Sequence, residues 1–234
     1  MNRNRKFALT ALTAAALAFG SSAFAAAIVV KDNTNQSNIP GLTGFSTTGA
    51  MMTGLSITAS FDGGFTETLA WVTTGLTSGG VTGTGWGLNL DGDTFGALWN
   101  FTFDAGNHPG QILSLVIDGT NALTVMDTAD PSPGTPGSAN GLDFAFSDGT
   151  IDATATYTNT VAISPGGPVG DLYQTLTVDF RNANGGLTGP RTDFTFVQDT
   201  DNDSRFGVPE PGSLALLGLA LAGLAAATRR TRAS

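Results

Sequence analysis

Apolar and polar residues alternate with a period of two through most of the middle of this 234-residue chain, and helical spacing is almost absent there. Leu55, Ile57, Ala59 and Phe61 alternate with Ser56, Thr58 and Ser60, and Ala97, Trp99, Phe101 and Phe103 with Asn100, Thr102 and Asp104. The same spacing puts Leu113, Leu115 and Ile117 on one face. It recurs at Leu142, Phe144 and Phe146, at Leu176, Val178 and Phe180, and at Phe194 and Phe196. Residues two apart on a strand share a face, so each run predicts a strand with one side turned to a core. Thr154, Thr156 and Thr158, set around Ala155 and Tyr157, add a threonine-rich strand suited to a half-solvated sheet.

Turn chemistry separates these runs. Gly63-Gly64, Gly79-Gly80, Gly166-Gly167 and Gly185-Gly186 supply glycine pairs, and Asp91-Gly92, Asp118-Gly119 and Asp148-Gly149 supply Asp-Gly turns. Residues 130–141, with Pro131, Pro133 and Pro136, predict a rigid polar loop between two strands. No fixed-period repeat is present. Many short strands at this spacing predict an all-β fold, an antiparallel β-sandwich of jelly-roll type, over residues 26–198.

Both ends of the chain break with the strand pattern. Arg3, Arg5 and Lys6 precede an apolar run over residues 7–19, followed by Ala23-Phe24-Ala25 before Ala26. A basic stretch, an apolar stretch and a small-x-small site describe a signal peptide over residues 1–25, read by the Sec machinery and cleaved between Ala25 and Ala26. At the other end, Val208-Pro209-Glu210-Pro211 leads into an apolar run over residues 214–227 and then into Arg229, Arg230 and Arg232. The prolines lack amide donors and favour an extended, accessible backbone. A helix from about residue 211 to 228 rises roughly 27 Å, just short of a roughly 30 Å hydrocarbon core. The three arginines orient it with the C-terminus inside and Glu210 outside.

This tripartite segment, residues 208–234, resembles the PEP-CTERM sorting signal of Gram-negative bacteria. The resemblance implies recognition by an exosortase, transient anchoring in the inner membrane, and delivery to the cell envelope, outer surface or extracellular matrix, with a link to exopolysaccharide and biofilm. A second stretch, from Ile112-Leu113-Ser114-Leu115 through Val125-Met126-Asp127 to Gly134-Thr135-Pro136-Gly137-Ser138, resembles the bodies of PEP-CTERM proteins that have no assigned chemistry. It supports the class and supplies no catalytic residue.

Charge and cysteine content narrow the functions further. Between residues 26 and 208 there are four basic residues, Lys31, Arg181, Arg191 and Arg205, against 18 acidic ones, a net charge of −14. Such a body cannot neutralise phosphates, which excludes nucleic acid as a partner, and it favours cations or cationic partners. The chain has no cysteine, so disulfides, thiol nucleophiles and zinc-thiolate sites are excluded despite the export signal.

Candidate chemistry is sparse, and the chain reads as a non-enzyme without a required cofactor. His108, the one histidine, sits in the turn sequence Asn107-His108-Pro109-Gly110 with no nucleophile motif beside it. Glu67, the one glutamate of the body, alternates with Phe65 and Leu69; at a sheet edge or along a groove it carries no chemistry, whereas facing an apolar core it would have a raised pKa and could serve a glycan-active enzyme as an acid. Asp199, Asp201 and Asp203 place carboxylates at alternate positions, as calcium loops do, although Ser204 stands where such a loop has glycine. Residues 199–207 otherwise read as a solvated acidic spacer, and Asn89, Asp91 and Asp93 as a hairpin turn around Gly92. Trp71, Trp86 and Trp99 could supply flat platforms for sugars, and of these Trp99 falls on the apolar face with Phe101 and Phe103 and fits a core. Trp86, between Gly85 and Gly87, is the candidate exposed platform for a carbohydrate-binding module.

The Ala23-Phe24-Ala25 pattern generates the first prediction. N-terminal sequencing of the exported protein should read Ala26 as its first residue; a sequence starting at Met1 would remove the signal-peptide assignment.

Overall fold

Each alternating run becomes a strand, or flanks one, because burying one face of a pleated segment needs only a sheet and an apolar partner surface. The computed structural model describes residues 27–32, 34–40, 42–43, 47–129, 141–148, 151–163, 170–182 and 184–203. The signal-peptide residues Ala23, Ala25 and Ala26, the sorting residues Val208, Pro209, Glu210 and Pro211, and Arg229, Arg230 and Arg232 lie outside the described residues, as does the loop over residues 130–140. No helix among the described residues is long and apolar enough to cross a membrane.

In chain order the strands are β1 (Ile28–Lys31), β2 (Ser37–Asn38), β3 (Leu42–Thr43), β4 (Ser56–Phe61), β5 (Thr66–Ala70), β6 (Val72–Thr73), β7 (Ser78–Thr82), β8 (Trp86–Asp91), β9 (Trp99–Phe103), β10 (Ile112–Asp118), β11 (Thr124–Asp127), β12 (Ala145–Phe146), β13 (Thr154–Ala162), β14 (Leu172–Asp179), β15 (Phe194–Val197) and β16 (Asp199–Asp203). The larger sheet has ten strands and is organised around β14. One edge of β14 takes β13; the other takes β10 and β11 end to end, then β4 and β16, then β5 and β3. The short strands β1 and β2 pair parallel to β13. The smaller sheet has six antiparallel strands in the order β12-β15-β9-β8-β7-β6.

The two sheets share one apolar core, so the chain is an antiparallel all-β protein with sandwich layering. Phe61 of the large sheet meets Trp86 of the small one at 6.3 Å between ring centres, and Phe180 meets Phe146 and Phe194 at 5.9 and 5.7 Å. The wiring is simpler than the expected jelly roll. Strands β6 to β9 follow one another within one sheet as a meander, where a jelly roll would pass successive strands between sheets.

Three sequence expectations change on packing. Leu113 is half-buried and Ile112 is in the core instead, because a bulge between Ile112 and Ser114 shifts the β10–β4 register by a residue. Gly79-Gly80 is part of β7 and makes no turn. A side chain at Gly79 would overlap the Trp71 indole nitrogen and the Gly49 carbonyl, so this glycine permits a close approach of two backbones and a ring. The supposed spacer at residues 199–207 begins as strand β16, with Asp199, Thr200, Asp201 and Asn202 buried. It pairs with β11 along residues 199–202, so the folded body reaches at least Asp203.

Two single residues carry the chain between sheets. Trp71 separates β5 of the large sheet from β6 of the small one, and Gln198 separates β15 of the small sheet from β16 of the large one. At the first corner Trp71 N–H donates to the Leu55 carbonyl at 2.7 Å, and its indole N–H donates to the Gly49 carbonyl at 2.7 Å. At the second, the Trp99 indole donates to the Gln198 carbonyl at 2.9 Å, and the two indoles lie 5.2 Å apart. The Gln198 side-chain amide donates to the carbonyls of Asp199 (2.7 Å) and Leu142 (3.3 Å), while its oxygen accepts from the Tyr157 hydroxyl. Tyr157 in turn accepts from Phe144 N–H at 2.7 Å. Burial raises the Tyr157 pKa, so the hydroxyl stays protonated and acts as the donor to Gln198.

Gln198→Leu would strand the Tyr157 hydroxyl and two carbonyls inside the core. Each unmet buried group costs about 1–3 kcal/mol. Three such groups cost about 3–9 kcal/mol, and at about 2–4 °C per kcal/mol the unfolding midpoint should fall by roughly 6 °C or more in a thermal melt. An unchanged midpoint would show that this corner is not held by the amide.

Candidate functional site

A concavity with polar walls follows from the glycine content of β7 and β8. Gly80 pairs with Asn89, Thr82 with Gly87, and Gly87 with Thr102, so small residues floor a trough beside longer polar ones. The groove, about 610 Å³, is lined by Thr82, Asn89, Thr102 and Asp104 together with the apolar edge residues Leu69 and Val72.

Trp86 lies beneath this groove and is 3% exposed, which corrects its reading as an exposed sugar platform. Its ring stacks on Phe101 at 5.6 Å and 12°. The flanking glycines have the opposite effect to the one expected. A side chain at Gly83 would overlap the indole, and one at Gly85 would overlap the Asn107 carbonyl, so bare backbone closes over the ring. Trp71 and Trp99 are both fully buried, as the alternation predicts for Trp99.

Glu67 does face inward from β5, beside Leu69, and is half-buried. Its carboxylate accepts three hydrogen bonds: Oε2 from Thr84 N–H and Trp86 indole N–H, both at 2.8 Å, and Oε1 from the Thr84 hydroxyl at 3.2 Å. The Thr84 amide, aided by Trp86 and the Thr84 hydroxyl, holds the Glu67 pKa below its ordinary value against the opposing effect of burial. The raised pKa that the acid reading of Glu67 requires is therefore absent. Hydrogen bonds to the charged form outweigh desolvation, and Glu67 is a latch between β5 and the turn before β8. His108 is exposed and presents its ring edge-on to Phe103 at 5.9 Å. Asp91 accepts from the Thr77 hydroxyl at 2.7 Å and Asp93 from Phe95 N–H at 3.0 Å, which are turn-forming roles.

The aspartates expected in a calcium loop are split by the strand they form. Asp199 and Asp201 are both buried in β16; Asp203 ends the strand, and its side chain is outside the described set. Asp199 accepts from the Thr94 hydroxyl and Thr200 N–H, both at 2.8 Å. Burial pushes its pKa up to about 6 against those two bonds. Asp201 pairs in register with Val125, which packs in a second, smaller apolar cluster with Ile39, Leu42, Val161 and Leu172. Burial, then the charge of Asp127, pushes its pKa up to about 9. Two further buried aspartates, Asp127 at the end of β11 and Asp171 before β14, sit near it. Neither stands out as a site in the sequence, although Val125-Met126-Asp127 is an apolar pair ending in a carboxylate. No three His, Cys, Asp or Glu side chains among the described residues close on one point as a metal-binding group.

Comparison with known proteins informs the tail and leaves the body without a counterpart. Residues 207–230 match the family model described as the PEP-CTERM protein-sorting motif. No curated protein and no solved structure matches the chain. The matched span contains Val208, Pro209, Glu210 and Pro211, the apolar run, and Arg229 and Arg230. The tail therefore carries a PEP-CTERM protein-sorting motif, which implies an exosortase as processing partner and suggests export and sorting towards the cell envelope or surface.

Proposed function

We propose that this protein is a non-enzymatic structural or interaction component of the extracellular polysaccharide matrix or biofilm of a Gram-negative bacterium. It is exported through Sec and held in the inner membrane by the helix over residues 211–228 until the exosortase acts. The observation that carries this reading is the sorting motif at residues 207–230, attached to a rigid β body of strongly acidic composition. A body without cysteines, held by burial and by hydrogen-bonded corners, suits an exported scaffold. Its negative charge keeps it dispersed among polymers and draws cationic groups towards it.

The groove beside Trp86 favours a second reading, a carbohydrate-binding module. Thr82, Asn89, Thr102 and Asp104 offer hydroxyl, amide and carboxylate groups of the kind that bind sugar hydroxyls. This reading lacks an exposed aromatic platform, and so the structural role stands first. The third reading, a glycan-active enzyme using Glu67, is weakened by the carboxylate's own three hydrogen bonds, which favour its charged form over the protonated acid that the chemistry would need.

The latch assignment of Glu67 predicts that Glu67→Ala lowers stability by about 1–2 kcal/mol, as Trp86 and Thr84 lose a charged partner. Because the folded pKa is depressed, the contribution is present above the unfolded value of about 4.3 and fades as pH falls through the lower folded value. Wild type and Glu67→Ala should therefore differ in midpoint at pH 7 and converge in strong acid. A constant gap at all pH values would show that the charge is not what matters.

The sorting assignment predicts that Glu210→Ala is still translocated, since residues 1–25 and the arginines are intact, yet escapes processing and collects in the inner membrane at full tail length. Fractionation and mass measurement in a host with an active exosortase distinguish the outcomes. Release of a shortened Glu210→Ala chain, as for wild type, would make the tail a simple anchor.

A further inference from the structure

The large sheet ends on one side in a strand whose outer edge is left open. Strand β1 lies parallel to β13, with Ile28 opposite Thr154 and Val30 opposite Thr156, and no other strand among the described residues pairs with it. Ile28 N–H donates to the Ala153 carbonyl at 3.1 Å and Asp32 N–H to the Tyr157 carbonyl at 2.9 Å. Alternate residues of a strand bond to the same neighbour, so Ile28, Val30 and Asp32 spend their main-chain groups on β13, while Val29 and Lys31 turn theirs outward. A row of this kind is a template for another extended backbone.

The side chains beside the row are apolar and face water, Ile28 being 67% exposed and Val30 43%. Sheet edges are usually blunted by a free lysine, a proline or brevity. Here Lys31 is held by Asp143 at 3.1 Å and by the Ala129 carbonyl at 2.8 Å, and Ile28-Val29-Val30 contains neither charge nor proline. The other sheet edges differ: β3, β6 and β12 have two residues each, and β5 presents Thr66 and Thr68 around the charged Glu67.

Charge selects the partner. The body carries −14 between residues 26 and 208, so two copies repel one another over most of their surface. Beside β1 the charge cancels. Arg181 pairs with Asp179 at 2.6 Å in a concavity that Ile28 also lines, and Lys31 offsets Asp143. A second copy can therefore approach here, and a two-fold axis brings the same patch from both sides. Centring that axis on Val29 joins the outward groups of both strands, sets Ile28 opposite the partner's Val30, and brings no aspartate opposite another.

We propose that the mature protein forms a two-fold symmetric dimer by antiparallel pairing of β1 with β1 of a second copy, so that two ten-stranded sheets become one. The pairing is independent of what the groove beside Trp86 binds. It rests on removal of the signal peptide between Ala25 and Ala26, which leaves one residue ahead of Ala27 and frees the edge only after export.

The test uses the mature chain, residues 26–234, in detergent micelles, so that a failure of pairing is distinct from a failure of export. Sedimentation at loadings from about 1 to 200 µM should show the protein mass doubling. Ile28→Lys combined with Val30→Lys should hold the chain at monomer mass with an unchanged circular dichroism spectrum, because both side chains are exposed and like charges then face each other. Ile28→Glu combined with Val30→Lys should restore the dimer, since this register sets opposite charges across the axis. The absence of cysteine permits a second measurement. Under oxidising conditions a mixture of Ile28→Cys and Val30→Cys chains should cross-link, as directly opposed residues of a non-hydrogen-bonded pair lie about 4.5 Å apart at Cα, within disulfide range. Either variant alone should not, its cysteines being two positions out of register. Monomer mass at every loading, a dimer undisturbed by the two lysines, which would move the contact to the tail helix or another surface, or single variants that cross-link as well as the mixture would overturn the proposal.

Discussion

The fold depends on two corners at which one residue must leave one sheet and enter the other. A strand that changes sheets breaks its ladder at the crossing, and the freed backbone groups are then far from water. Trp71 and Gln198 meet this constraint in different ways. Trp71 uses its indole N–H and its main-chain N–H on neighbouring carbonyls, and Gln198 uses a side-chain amide that both donates and accepts. The corners touch through the Trp71–Trp99 contact, since Trp99 caps the Gln198 carbonyl. Strands far apart in sequence are thereby fixed to one another, and the two sheets cannot slide without breaking buried hydrogen bonds.

Glycine has a second role in this protein beyond turns. Gly49 and Gly79 approach so closely that a side chain on either would collide with backbone atoms, and this closeness is what seats Trp71. Gly83 and Gly85 do the same around Trp86, with Glu67 supplying the acceptor for its indole. Large rings are thus accommodated by missing side chains on the segments that cover them. The same economy leaves the outer face of β7 and β8 shallow enough to form the groove.

Electrostatics divides the acidic residues into two populations. Most, such as Asp62 and Asp179, are at the surface and paired with arginine or turned towards backbone amides, where each contributes little. The few in and around β16 are buried, and there the same charge becomes a strong constraint.

The sequence by itself determined the strands, the antiparallel class and the address. Period-two alternation is a local property, so Ile57, Ala59 and Phe61, or Phe194 and Phe196, declare their buried face without reference to any partner. The sorting motif is likewise local: proline geometry, an apolar run and arginines are read as they stand, and its match at residues 207–230 needed no fold. What only the tertiary structure decided concerns partners. Glu67 stood between a groove residue without chemistry and an acid with a raised pKa until Thr84 and Trp86 were brought to it from 17 and 19 residues away. Gly85 and Gly87 looked like the bare surroundings of an exposed Trp86 until Asn107 closed in. Asp199 and Asp201 looked like a solvated spacer because carboxylates usually are. The ladder with β11 buried them and set Asp201 beside Asp127, 74 positions away in the chain. Burial and pairing over such separations depend on the path of the whole chain, and no short window of sequence contains it.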